Sequence, residues 1–275
     1  AGLCTFAYWS DMGGSIRVPA ACNGVLGLRP TPFGIPVEVP DGTRLGVRGP
    51  LARSVEDLRL GFGLMRNADP PPRRSGPWRI GIVERSQLPV DPACGAAVGR
   101  AATALGGAGC AVEEALAWDA EAVARAYQVV RPVTMALVPG EPDAYGAMVR
   151  EDIARGREES AARFLLALQE GIAATLPVRL ALDRFDALLT PTLGRAPMAI
   201  AEVPPFLGEA WLQYTQFVLP VSFAGLAAIS VPAGQAGGIP VGVQVIAVDE
   251  ATALDVAQAL EERPGFGFER PPGFD

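Results

Sequence analysis

The stretch Ser10–Ala20, SDMGGSIRVPA, puts a hydroxyl at the end of a glycine pair, and that combination can do chemistry. Successive amides in a glycine turn can point the same way and form a nest for negative charge. Gly13 and Gly14 also let a substrate approach with no Cβ in the way. The N–H groups of Met12, Gly13, Gly14 and Ser15 would then receive a developing oxyanion, where one donor is worth about 3 kcal/mol in the transition state. The Ser15 hydroxyl would attack the same carbonyl. Such a serine needs a base. The chain has no histidine, and all 23 basic residues are arginine, which stays protonated. Asp11, the nearest titratable group, is a poor acceptor for an alcohol's proton. Its expected role is to accept backbone N–H bonds or to pair with Arg17, and so to hold the loop. Chemistry alone leaves a second reading of Ser15 open, as the cap of the short helical piece that follows.

Other chemistries find no support. Gly61–Gly63 (GFG) and Gly24–Gly27 (GVLG) lack the GxGxxG form, and a Walker loop requires a lysine the chain does not have. The GxSxG elbow is absent at Ser15. Cys4, Cys22, Cys94 and Cys110 have no CxxC spacing and no histidine to activate them, and read as reduced thiols of a cytoplasmic protein. No metal and no cofactor are expected. With 275 residues, 49 % hydrophobic content, net charge -7 and pI about 4.8, the chain has material for a sizeable core, and its charge disfavours nucleic acid or an anionic membrane as partner. No apolar run is expected to reach a membrane span.

The elements that must position Ser15 follow from the pattern. Gly2–Trp9 reads as a buried strand, and Ile16–Ala21 as a short helical or irregular piece. Ser54 caps a helix with Asp57 as the capping-box acid. Trp78–Val83, a helix over Pro92–Leu105 and Cys110–Glu114 form a β-α-β unit. Ala120–Val138 and Glu158–Ala174 are helical by period, within a mainly helical section at about 115–180. Phe185–Leu189, Ala227–Gly234 and Pro240–Val248 read as strands, Trp211–Leu219 and Ala251–Glu261 as helices. The opening AGLCTFAYW, apolar at once and without an initiator methionine, reads as the start of a piece cut from a longer polypeptide.

Taken whole, SDMGGSIRVPAACNGVLGLRPTPFGIP resembles the signature of the amidase signature family, serine hydrolases that cleave amides with a Ser–Ser–Lys triad. GPLARSVEDLRL, PWRIGIVERSQLPVDP, FDALLTPT, LPVSFAGLAAISVPAG and GGIPVGVQVIA resemble later family segments in order, so the likeness runs through nearly the whole chain. The resemblance implies an α/β fold: a mixed, mostly parallel sheet covered by helices on both faces, with residues 1–275 as the C-terminal part of the domain. It implies that Ser15 is the acylated nucleophile, that the amides of Met12, Gly13, Gly14 and Ser15 line the oxyanion hole, and that Asp11 and Arg17 support the loop. The family's bridging serine and its lysine lie upstream of its signature, so the proton relay is expected on polypeptide before Ala1, and this chain alone is expected to be inactive. The missing part would leave apolar sheet and helix faces exposed.

The implied partner is a small-molecule amide, hydrolysed to a carboxylate plus ammonia or an amine; a homodimer is open to it. The chain departs from the family at Ser222, where asparagine is frequent, and at Ala227, where proline is, both expected to border the substrate cleft. Arg29 replaces the usual lysine, which is expected to matter little. Met12, Phe217, Val221 and Phe223 are expected near the cleft and favour an apolar or aromatic acyl group. Two alternatives remain: the glutamine-hydrolysing subunit of a tRNA-dependent amidotransferase, whose signature carries glutamine where this chain has Val18, and an inactive fragment or binding protein with the same fold.

Overall fold

A computed structural model of the chain describes residues 4–36, 42–83, 87–199, 201 and 209–271. The first part runs β1 (Phe6–Asp11), α1 (Arg17–Asn23), β2 (Leu26–Arg29), β3 (Val47–Ala52), α2 (Val55–Arg66), β4 (Arg79–Ile82), α3 (Pro92–Gly107) and β5 (Ala111–Glu114). Four helices follow, α4 (Ala120–Met135), α5 (Ala147–Glu158), α6 (Ala161–Ala174) and α7 (Leu176–Ala181). The chain then returns to the sheet through β6 (Ala187–Pro191), α8 (Glu209–Thr215), α9 (Leu219–Ala224), β7 (Ala227–Ala236), β8 (Ile239–Ala247) and α10 (Glu250–Glu261).

The eight strands form one sheet in the order β1-β3-β2-β7-β8-β6-β4-β5. The α/β architecture with a mixed sheet is as expected, but the pairing is not mostly parallel. Among the described residues, five of the seven strand pairs are antiparallel and two, β4 with β5 and β4 with β6, are parallel. The reason lies in the connections. Only β4-α3-β5 and the long helical excursion to β6 set a returning parallel strand directly beside β4; the crossovers β1-α1-β2 and β6-α8-α9-β7 also return in the same direction, but β3 and β8 lie between their strands and pair antiparallel with both. The β7–β8 hairpin turns through Gly237 and Gly238, both at positive φ, as a two-residue hairpin loop requires.

Period-two alternation along β2, β7 and β8 divides the core into two layers. Leu26, Leu28, Ile229, Val231, Val243 and Val245 face α2, α3 and α10, where Leu58, Phe62, Val98, Leu105 and Leu254 complete the larger cluster. Ala228, Ile246 and Leu188 face the opposite layer, with Phe217, Val221 and Val178. Helix α2 starts as its sequence demands: the Ser54 hydroxyl accepts from the Asp57 N–H at 3.1 Å.

Three local readings need correction. The first strand is not buried: at the end of the sheet with only β3 beside it, it leaves Phe6, Tyr8 and Trp9 exposed, while Gly2 and Leu3 lie outside the described residues. The helix read over Trp211–Leu219 is two helices, α8 and α9, because Pro220 opens a new helix in its first turn. Finally, Ala161–Ala181, running through α6 and α7, is long and apolar enough to cross a membrane by length and composition alone, contrary to the expectation that no run would be.

Candidate active site

Strand β1 ends at Asp11, and the next four residues turn over the end of the sheet into α1. Ser15 stands exposed at the top of this turn. The capping alternative for Ser15 is not taken up: the N-cap of α1 is Ile16, with no side-chain cap bond. Gly14 adopts φ +105°, a conformation that suits only glycine, and its carbonyl accepts from the Val18 N–H at 2.7 Å. Gly13 is needed for space. A Cβ there would lie 2.4 Å from the Tyr127 Oη and 2.7 Å from its Cζ.

Beneath the turn, Asp11 is fully buried and saturated with donors. Its carboxylate accepts from Gly14 N–H at 3.0 Å and Ile16 N–H at 3.2 Å. It also accepts from Arg17 Nε at 3.0 Å and Nη2 at 2.9 Å, a bidentate pair, and from Arg29 Nη1 at 3.1 Å. Burial raises the carboxyl's pKa, but the Arg17 and Arg29 charges and the hydrogen bonds outweigh it and hold the group well below the ordinary carboxylate range. Asp11 therefore stays ionised, with Arg17, Arg29 and the Gly14 and Ile16 amides as its partners. One expectation changes: the Gly14 N–H is spent on the Asp11 carboxylate, so it is not free to serve an oxyanion.

Arg17 ties the turn to distant parts of the chain. Its Nη1 donates to the Val218 carbonyl at 2.9 Å and to Gln244 Oε1 at 2.8 Å, and its Nη2 to Ser222 Oγ at 3.0 Å. Gln244 in turn donates to Thr190 Oγ1 at 3.0 Å and to the Phe217 carbonyl at 2.9 Å. Gly27, Ser230, Gln244 and Thr190 are paired in register across four strands, so a row of small and polar positions runs under α1. Buried charge survives only when paired and hydrogen-bonded, and Asp11, Gln244, Ser222 and the Val218 carbonyl are the partners of Arg17.

Several sequence expectations move accordingly. Ser222 is buried and accepts from Arg17. Ala227 is a fully buried first residue of β7. Arg29 is far from incidental, since it is completely buried against Asp11 and also donates to the Asp11 carbonyl at 2.8 Å. Phe217, Val221 and Phe223 are packed in the core, because the short helix α9 is buried along its whole length; Met12 alone of that group is half-exposed. Gln244 joins the site without having been singled out by the sequence pattern. Its one signal is a lone amide at a buried position of the strand run VGVQVIAV, where a polar side chain must have a partner.

Tyr127, from α4, closes the other side of the turn. It is buried, and burial, with Arg131 and Asp11 nearby as lesser influences, pushes its phenol up to about 12. It therefore stays protonated at neutral pH.

The family model described as Amidase matches residues 1–252. An indoleacetamide hydrolase of Bradyrhizobium japonicum is 29 % identical over 306 residues, covering 96 % of this chain and 64 % of that protein. A glutamyl-tRNA(Gln) amidotransferase subunit of Moorella thermoacetica is 29 % identical over 325 residues, covering 98 % of this chain and 66 % of that protein. Among solved structures, one described as an amidase superposes with a TM-score of 0.79 at 23 % identity, over 93 % of this chain and 62 % of its own, a likeness of fold. The chain thus spans less than two thirds of the length of each of these proteins.

Proposed function

Since the chain belongs to the amidase signature family, we propose that it carries the nucleophile and oxyanion loop of an amide hydrolase. The observation that carries this reading is the placement of Ser15: an exposed hydroxyl on a turn whose supporting carboxylate is wholly buried and clamped by two arginines. That arrangement holds a reacting group on a fixed turn, with no partner on the hydroxyl among the described residues, which suits preorganised catalysis.

The chemistry follows from the groups present and the one that is not. Ser15 Oγ adds to the amide carbonyl as its proton passes to a base, and the carbonyl oxygen takes up negative charge at the N–H groups of Met12, Gly13 and Ser15. The C–N bond breaks, the proton goes to the leaving nitrogen, and ammonia or an amine departs. Water then attacks the Ser15 ester, releasing the carboxylate and restoring the hydroxyl. Asp11 is not the base, since both its oxygens are occupied by donors and it is held ionised by Arg17 and Arg29. The base the family resemblance implies is a lysine acting through a bridging serine, both upstream of the family's signature; burial would keep such a lysine neutral.

The amidotransferase reading is supported by the 29 % identity to the Moorella thermoacetica protein. Against it, Arg17 is sealed inside the fold and paired with Asp11, so it is not available to grip a glutamine α-carboxylate. The amidase reading is the stronger. It is tested on the complete gene product: Ser15→Ala should abolish hydrolysis of primary amides with the fold intact by circular dichroism, and retained turnover would overturn it. The 275-residue chain alone should not be labelled at Ser15 by a serine-directed acylating probe, since it contains neither lysine nor histidine to activate the hydroxyl.

A further inference from the structure

Between α4, α5 and α8 lies a cavity of about 250 Å³, lined by Tyr127, Arg131, Met148, Asp152, Trp211 and Leu212. Two of its walls also flank the Ser15 turn. Tyr127 fills the space beside Gly13, so tightly that a Cβ there would collide with the phenol. Trp211 belongs to the cluster that packs Val18 and Cys22 of α1, with its ring stacked 6.1 Å from that of Tyr214. The cavity therefore adjoins the Ser15 turn through two shared side chains, Tyr127 beside Gly13 and Trp211 in the cluster that holds α1.

Its chemistry is two-sided. Tyr127, Met148, Trp211 and Leu212 offer ring faces, a thioether and an aliphatic wall, a surface suited to a flat aromatic group. The remaining lining is ionic but balanced. Arg131 and Asp152 form a largely buried ion pair, Arg155 reaches the same carboxylate at 3.9 Å, and Glu151 completes two positive and two negative side chains. A ligand carboxylate would compete with Asp152 for guanidinium groups already engaged. An uncharged ring meets no such cost, and a ring N–H or O–H could hydrogen-bond to the acidic residues. The Trp211 indole N–H is itself buried and without a hydrogen-bond partner among the described residues, a donor that an acceptor on the ligand would satisfy.

We propose that this cavity is the acyl-group pocket and that it selects an uncharged aromatic acyl group, with Trp211 and Met148 as specificity-determining residues. The proposal rests on the amide-hydrolase reading of Ser15, but its test does not need turnover. Phenylacetamide, acetamide and glutamine serve as probes, titrated against the 275-residue chain by calorimetry, and the bound phenylacetamide is located by intermolecular nuclear Overhauser effects.

Phenylacetamide should bind at least tenfold more tightly than acetamide, and glutamine no more tightly than acetamide. Its ring protons should contact Trp211 and the Met148 methyl, and its methylene the Gly13 or Ser15 amide. Trp211→Ala should weaken phenylacetamide binding at least fivefold. Met148→Glu, at a partly exposed position where the fold should tolerate it, should do the same if the tryptophan variant fails to fold. Equal binding of phenylacetamide and acetamide, a preference for glutamine, contacts elsewhere on the chain, or insensitivity to the Trp211 and Met148 substitutions would each overturn the proposal. If the ring binds here while the complete gene product hydrolyses no amide, the pocket stands as an aromatic site and the hydrolase reading falls.

Discussion

Asp11 decides whether the Ser15 turn exists in usable form. Two guanidinium groups, two backbone amides and no solvent surround its carboxylate. Asp11→Asn keeps the shape but leaves Arg17 and Arg29 buried without their counter-charge. Breaking a buried pair in this way costs about 3–5 kcal/mol, and chemical denaturation at pH 7 should show a loss of that order. The pH dependence has a definite sign. Because the folded-state pKa is depressed, the stabilisation from ionised Asp11 is complete above the unfolded carboxyl's value of about 3.9 and is lost as pH falls through the lower folded value. The stability difference between wild type and Asp11→Asn should accordingly be flat from pH 7 down to about pH 5 and shrink only in stronger acid. A difference that vanishes near pH 6 would show that some other group dominates the turn.

Among the elements, α1 must lie close upon the sheet for Arg17 to reach Gln244. Gly27 makes that approach possible, since a Cβ at this position would sit 2.8 Å from Ala20 Cβ and 2.9 Å from Ile16 Cγ2. Neither neighbour can easily yield: the alanine methyl has no rotamer to change, and Ile16 is fully buried. Gly27→Ala should therefore lift α1 and cost about 1–3 kcal/mol by overpacking. A lowered urea midpoint with an unchanged m-value would report it. The same shift lengthens the Arg17–Gln244 bond, so amide hydrolysis by the complete gene product should fall along with stability.

Over the whole molecule, the two edges of the sheet differ: among the described residues β5 presents the charged Glu113 and Glu114, whereas β1 presents apolar side chains. Strand β1 is the last in the order, and Phe6, Tyr8 and Trp9 are 39 %, 50 % and 58 % exposed. Further leucines, Leu165, Leu166, Leu176 and Leu180, are exposed along α6 and α7. An open apolar edge strand is a template for pairing with another chain. The 275-residue chain should self-associate in a concentration-dependent way by sedimentation velocity. Tyr8→Lys, a charge on that edge, should shift it toward monomer; a monomer at every concentration would show that the edge is not adhesive.

Features legible in the residues alone are local ones. The glycine pair before Ser15, the Asp11–Arg17 spacing within one turn, the Ser54 cap and the β4-α3-β5 unit each depend on positions close together or on one regular period, and their chemistry can be read directly. Other features exist only once the chain is folded, because they join residues from far apart. Gln244 meets Arg17 across 227 residues and Ser222 across 205, so neither partner leaves a mark near the other. The same holds for Arg29, whose charge pairs with Asp11 only because β2 and β1 both pair with β3 and bring their ends together. Strand direction likewise escapes the pattern, because a buried strand reads as the same apolar run whichever way its neighbour points. The cavity beside Gly13 is hidden for a further reason. One of its walls, α5, does not stand out as a helix in the sequence, and a pocket is the space between elements rather than a property of any one of them.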